Sequence, residues 1–301
     1  MAEKGNGLLA SSLVKLKNLQ LVGKLLSDEL QLGLHGSKRA GLGVEFEQYR
    51  HYQPGDDLKR VDWKLYARSN KHLVRESAAE SNTRIRFVLD LSGSMNYEED
   101  GVSRLVYGRI LLASLAHLAY VQHDIMGLYG LTNGRIQTLA DITRSSSAKQ
   151  TFQNILVGLE KTEAAGALGF GFDASQWHTI FNQKGKEQLI LVTDLIQQSE
   201  EWIHVIKSLA NPHRELVIFQ ILGERELDFS LEGFYRFKDL ESGKEIELHA
   251  ETARTHYIDT FQSYLNRLES ELNIPHVQLI RVSLHDNPGV ILRSFLMKRK
   301  I

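Results

Sequence analysis

The sequence predicts an α/β protein: a doubly wound, mostly parallel sheet over residues 84–301, preceded at 1–83 by an N-terminal amphipathic helix and a small hairpin-containing subdomain. Three observations lead there. The apolar runs Ile85–Leu91, Leu189–Thr193 and Leu216–Leu222 have the length and branched content of strands buried on both faces. Helical periodicities separate them, as parallel strands joined by crossovers require. Ile125–Leu131 leads through Asn133-Gly134 into 135–139, a hairpin that adds an antiparallel edge strand.

The elements follow in chain order. Leu9, Leu13, Leu16, Val22, Leu26 and Leu30 recur at helical spacing before Gly33 and Gly36, which predicts one amphipathic helix over 7–32. Gln53-Pro54-Gly55-Asp56 is a turn, with Asp56 or Asp57 placed to cap a short helix at 58–68, and 72–80 is an extended return. Residues 102–122 form a helix apolar on most faces, in which Gly108 permits close packing on the sheet. Phe152, Ile155, Leu156 and Leu159 mark the next helix, 173–183 another after a Gly-rich loop, and Trp202, Val205, Ile206 and Leu209 one before Pro212. Residues 234–248 are a polar hairpin turning at Ser242-Gly243. Tyr257, Phe261, Leu265, Leu268 and Leu272 define a helix, Val277–Val282 a last strand and 289–298 a closing helix.

Composition excludes several classes of function. The 301 residues carry 36 Lys plus Arg against 37 Asp plus Glu, without the cationic surplus of a general nucleic-acid binder. That balance hides a polarity: residues 1–86 hold 15 basic and 10 acidic side chains, and the remainder hold 21 and 27. With no cysteine, disulfides, thiolate metal sites and cysteine nucleophiles are ruled out. The longest apolar stretch without Asp, Glu, Lys or Arg, 110–123, is shorter than the roughly 20 residues that span a bilayer. The N-terminus lacks the pattern of a secretory signal, so the expected location is cytoplasmic. No Gly-x-x-x-x-Gly-Lys-[Ser/Thr] run occurs, and the Gly-rich segment 166–171 is no phosphate-binding loop.

Ligands of such sheets bind beyond the carboxyl ends of the strands, and two strands end there in aspartate: Asp90 and, after Thr193, Asp194. Asp90-Leu91-Ser92-Gly93-Ser94 sets one carboxylate and two hydroxyls at alternate positions of a tight loop. Hard oxygens without sulfur or imidazole select Mg²⁺, Mn²⁺ or Ca²⁺. The alternative use of the same residues is to cap the helix that follows. An incompletely filled shell leaves room for water or for a partner's carboxylate. A metal-dependent phosphoesterase using Asp90 and Asp194 is the alternative reading. It would need a general base and a second metal or an electrophilic Lys or Arg, and the local sequence shows none. His117 and His123 read as core histidines of the 102–122 helix.

These residues carry a resemblance. Asp90-Leu91-Ser92-Gly93-Ser94 and Leu191-Val192-Thr193-Asp194 resemble the metal-ion-dependent adhesion site of von Willebrand factor A domains. The resemblance implies direct ligation by Asp90, Ser92 and Ser94 and a water-mediated role for Asp194. The pattern departs from that family in its third loop, where Phe170 of Gly169-Phe170-Gly171-Phe172-Asp173 stands in place of a threonine. Asp173, Thr162 and Thr179 are nearby in sequence but out of pattern.

Upstream, the run from Phe46 through Arg50-His51-Tyr52-Gln53-Pro54-Gly55-Asp56-Asp57 and Arg60-Val61-Asp62-Trp63-Lys64 to Arg68, with Leu73-Val74-Arg75-Glu76, resembles a bacterial branch. That branch is the domain-of-unknown-function fifty-eight family, von Willebrand-like proteins associated with MoxR-type AAA+ ATPases. The resemblance implies a non-enzymatic interaction module, an adaptor or co-chaperone that works with such an ATPase in assembling or maturing a client complex.

Arg60, Lys64 and Arg68 fall at i, i+4 and i+8 on one face of the short helix, with Lys71 and Arg75 beyond. They are candidate contacts for an acidic partner, and equally a solvated face paired with Asp57 and Glu76. No nucleic-acid-binding fold is recognisable.

Overall fold

In a computed structural model, residues 9–35, 46–51, 61, 63–69, 71, 73–77, 83–141, 147–165, 177, 180, 186–196 and 201–298 are described. The chain divides into two compact units, one of residues 1–34 and 83–301 and one of 35–82. The N-terminal helical segment therefore belongs with the large body and the signature region stands as its own unit.

That segment is two helices where the periodicity predicts one: α1 (Ala10–Val14) and α2 (Leu19–His35). The break has a local cause. Lys17 takes a left-handed conformation (φ 48°), and the Asn18 side chain accepts the Leu21 amide at 2.9 Å, so it caps a new helix. In the small unit, β1 (Phe46–His51) pairs antiparallel with a later strand across α3 (Trp63–Ser69); that strand is β2 (Leu73–Ser77). The helix expected at 58–68 starts at Trp63 among the described residues, and Arg60 lies outside them. Trp63 is exposed and meets Tyr66 edge to face at 6.1 Å.

The body opens with β3 (Arg84–Asp90), a 3₁₀ turn at Gly93–Asn96, and a two-residue pairing of β4 (Glu98–Glu99) with β5 (Val102–Ser103). Then come α4 (Arg104–Val121), β6 (Ile125–Thr132), β7 (Arg135–Ala140), α5 (Ala148–Lys161), β8 (Glu187–Thr193), α6 (Glu201–Leu209) and β9 (Arg214–Leu222). The chain closes with α7 (Glu224–Asp228), β10 (Phe234–Lys238), β11 (Glu245–His249), α8 (Ala250–Leu272), β12 (Val277–Ser283) and α9 (Pro288–Lys298). The six-stranded sheet runs β12-β9-β8-β3-β6-β7, parallel except for β7. This is the predicted doubly wound sheet with its antiparallel edge. Asn133 and Gly134 both take positive φ, 49° and 67°, as a two-residue hairpin turn requires.

Every residue of β3 and β8 is buried, which is why the apolar stretches Phe87–Leu89 and Leu189–Val192 run without alternating polar positions. One face of the sheet packs on α4, α5 and α9, the other on α6 and α8. The predicted tight approach at Gly108 is observed: an added Cβ would stand 2.8 Å from Val192 Cγ1 and 3.2 Å from Leu89 Cδ1. Arg86, Glu187 and Arg214 form a buried ion-pair group at the amino ends of the central strands, with 2.7 Å between Arg86 and Glu187. Among the described residues no helix is long and apolar enough to cross a membrane.

The N-terminal pair forms an extra layer on α4. Leu13, Val22 and Leu26 pack with Ile110, and the buried Ser27 hydroxyl lies 2.5 Å from His117 Nδ1. His117 is a partnered histidine whose protonation burial disfavours. His123 departs from expectation, since it is exposed in a turn at φ 59°. Gly23 makes the close contact of this layer: an added Cβ would stand 2.8 Å from the Ala113 carbonyl oxygen. Gly23→Ala is thus expected to push α2 off α4 and to cost about 1–3 kcal/mol as overpacking, despite alanine's better helix propensity. Hydrogen exchange should then speed up selectively in α2; unchanged exchange would contradict this seating.

Candidate functional site

The chain runs from β3 outward to β6 and β7 on one side, then returns to β8, β9 and β12 on the other. The switch point lies between β3 and β8, and both strands lead at their carboxyl ends into the two predicted aspartates, Asp90 and Asp194. Such a crevice is where doubly wound sheets bind ligands.

Asp90 is fully buried and held on both oxygens. Its Oδ1 accepts the Ser92 amide at 2.8 Å and its Oδ2 accepts the Thr193 hydroxyl at 2.7 Å. The Ser92 and Ser94 hydroxyls lie 2.9 Å apart. Neither the Asp90 carboxylate nor the Ser92 hydroxyl is spent on helix capping: Ser92 stands at the N-cap of the 3₁₀ turn without a side-chain cap bond, and Ser103 caps α4 by accepting the Val106 amide. Burial, then the Asp194 charge, push the Asp90 carboxyl up to about 7, against the lowering effect of the Ser92 and Thr193 hydrogen bonds.

Asp194 is occupied differently. Its Oδ1 accepts the Ile196 amide at 3.1 Å, and its Oδ2 accepts Arg104 Nη1 at 2.7 Å in an ion pair whose side chains are 2% and 1% exposed. The same Nη1 donates to the Ser94 carbonyl at 3.0 Å, and Arg104 Nη2 donates to Glu226. The guanidinium lies over the Tyr97 ring, 4.7 Å from its centroid. Burial pulls the Arg104 pKa down, but the Asp194 and Glu226 carboxylates more than offset that and raise it. The Tyr97 hydroxyl donates to Glu99 at 2.7 Å, and Glu99 caps α7 by accepting the Glu224 and Arg225 amides at 2.9 and 3.0 Å.

The local sequence around Asp90 and Asp194 shows no cation, but the fold brings an arginine to the site from α4. Arg104, Tyr97 and Glu226 are functional-site neighbours that motif spacing does not show, and Thr193, already part of the second motif, proves to hold Asp90. The available signal was Arg104 itself, a cation at the start of a helix otherwise apolar enough to be buried. Among the described residues no cluster of three or more His, Asp or Glu forms a metal site. The oxygens of Asp90, Ser92 and Ser94 nonetheless suit a hard divalent ion by donor type, whereas Asp194 already holds a cation of the chain's own. Thr162 is buried and donates its hydroxyl to the Leu159 carbonyl. Phe170, Asp173 and Thr179 lie outside the described residues. In the small unit Arg68 is exposed, Arg60 is not described and the Lys64 side chain is not described, so the basic stripe rests on sequence alone.

A family described as protein of unknown function DUF58 matches residues 48–264. Uncharacterized proteins of Mycobacterium tuberculosis and Mycobacterium bovis are each 24% identical over 232 residues, covering 76% of this chain and 70% of the relative. Similar solved structures include the conserved hypothetical protein BatB from Bacteroides thetaiotaomicron, at 15% identity and TM-score 0.46 over 72% of this chain and 98% of that one. Another is a von Willebrand factor type A protein from Catenulispora acidiphila, at 13% identity and TM-score 0.39 over 72% of this chain and 42% of that one.

Proposed function

The chain belongs to the DUF58 family, and from that premise we propose that it is a protein-interaction module that takes up one divalent cation, Mg²⁺ by preference, at Asp90, Ser92 and Ser94. The observation that carries this reading is the placement of those oxygens. A fully buried carboxylate and two hydroxyls 2.9 Å apart sit beyond the carboxyl end of the central strand, at the switch point of the sheet. A bound ion would supply an electrophilic centre with positions left over for an acidic side chain of a partner. The chain's residues supply the rest: Thr193 and the Ser92 amide orient Asp90, and the buried sheet end keeps the carboxylate out of water.

The partner in this reading is a MoxR-type AAA+ ATPase that provides the energy, with an acidic client segment meeting the cation and the Arg60, Lys64 and Arg68 stripe offering a second contact. In a capture experiment with that ATPase, Mg²⁺ is expected to strengthen retention at least about tenfold over EDTA. Asp90→Ala should abolish the gain while circular dichroism stays unchanged. Equal capture in EDTA sinks the metal-bridging reading. Phosphoester turnover lost in Asp90→Ala would replace it by the hydrolase.

A further inference from the structure

We propose that Arg104 is a built-in counter-ion that competes with the divalent cation for Asp194, so that the site exchanges between an arginine-held and a cation-held state. This rests on the cation reading above and adds how that site is regulated. The geometry carries it in three steps.

First, both carboxylate oxygens of Asp194 are in use, one by the Ile196 amide and one by Arg104 at 2.7 Å. A cation that needs this carboxylate, directly or through water, must displace a full positive charge. Second, the displaced group is close to the other ligands. Arg104 Nη1 is 3.0 Å from the carbonyl of Ser94, the residue whose hydroxyl completes the oxygen cluster with Ser92. A guanidinium and a divalent ion that share so small a volume, where Arg104, Asp90 and Asp194 are 2%, 0% and 1% exposed, repel each other strongly.

Third, the arginine has somewhere to stay when it releases Asp194. Its Nη2 is paired with Glu226, and its plane lies over the Tyr97 ring. Glu226 is 18% exposed at the rim and also accepts the Gly223 amide, so it is fixed independently of the arginine. Glu226 lies on α7, whose amino end is held by Glu99, the residue that anchors Tyr97. Removing the competitor should tighten the cation. Removing the acceptor that shares the arginine should drive it back onto Asp194 and weaken the cation.

The two variants therefore have opposite signs, which a purely structural role for Arg104 does not produce. Mn²⁺ binding to the full chain, measured from the electron paramagnetic resonance of free ion, is expected to tighten about tenfold or more in Arg104→Met. In Glu226→Gln, whose amide still accepts the Gly223 N–H, it should weaken severalfold. Loss of one negative charge alone would weaken Mn²⁺ equally with or without the arginine. Glu226→Gln made in the Arg104→Met background should therefore have little effect. If Arg104→Met does not stay folded, the sign and size of the Glu226→Gln effect decide. Tightening or no change there overturns the proposal.

Wild-type binding that Arg104→Met leaves unchanged or weakens overturns the exchange and leaves the cation reading standing. Binding that appears only once Arg104 is removed supports the exchange. Absence of binding in both folded proteins overturns the cation reading and the exchange together.

Discussion

Arg104→Ala is expected to lower the stability of the metal-free chain by about 3–5 kcal/mol, among the largest losses a single substitution in the large unit should produce. The magnitude is that of breaking a buried ion pair from one side. Asp194, 1% exposed, would keep a charge with no cation against it, and Glu226 and the Tyr97 ring would lose the group they share. For a body of this size the melting temperature should fall by roughly 10 °C. Mg²⁺ should then return part of the loss, because binding to the folded state alone stabilises it and the site now lacks its own cation. Thermal melts of both proteins in EDTA and in Mg²⁺ check this. A fall of less than about 1 kcal/mol, or a fall that Mg²⁺ does not reduce, would show that Arg104 is not the counter-ion described.

Asp90→Asn should have the opposite effect on stability and a larger one on binding. The Asp90 carboxyl is raised to about 7, whereas an unfolded chain returns it to the ordinary value of 3.8. The folded state therefore holds the proton more tightly. Its contribution to stability is fully present below the ordinary carboxyl pKa and is lost as pH rises to about 7. Above that the cost of the buried charge is constant and on the order of a few kcal/mol. Asparagine is isosteric: its Oδ1 can still accept the Ser92 amide and its Nδ2 can donate to the Thr193 oxygen. In EDTA at pH 8 the variant should be as stable as wild type or more so, and its stability should lose the wild-type decline between pH 4 and 7. In Mg²⁺ the order should reverse, because only the wild type binds. Urea melts across pH measure both. A wild-type decline that survives in Asp90→Asn would assign that titration to another group.

The fold was legible because burial on both faces makes the middles of β3, β8 and β9 predominantly apolar, and a run such as Leu216–Leu222 has few other readings. The edge strand was legible for a different reason: Asn133-Gly134 needs two positive φ angles, and those residues tolerate them. The break between α1 and α2 was not visible. Apolar residues stand on both sides of it, Leu13 and Leu16 before and Val22 and Leu26 after, at the i+3 and i+4 spacings of a helix, and a left-handed Lys17 has no compositional mark. The small helix α7 was missed because five residues do not establish a period.

The candidate site was half legible. Asp90, Ser92 and Ser94 are close in sequence, so their convergence follows from one loop, and Asp194 follows from its place at the end of the second buried apolar strand. Arg104 and Glu226 are ten and more than a hundred residues from Ser94, and only the packing of α4 and α7 over the strand ends brings them in. That packing also reverses an inference from sequence, since a cation was absent from the local motif but present in the fold.

The most direct test is a Mn²⁺ titration of the full chain at pH 8, with the free ion counted by electron paramagnetic resonance. One saturable ion per chain is the predicted result, with affinity falling below pH 7 as protons compete for Asp90 and falling at least about a hundredfold in Asp90→Asn. No saturable binding in the wild type, or equal binding in Asp90→Asn, would contradict it.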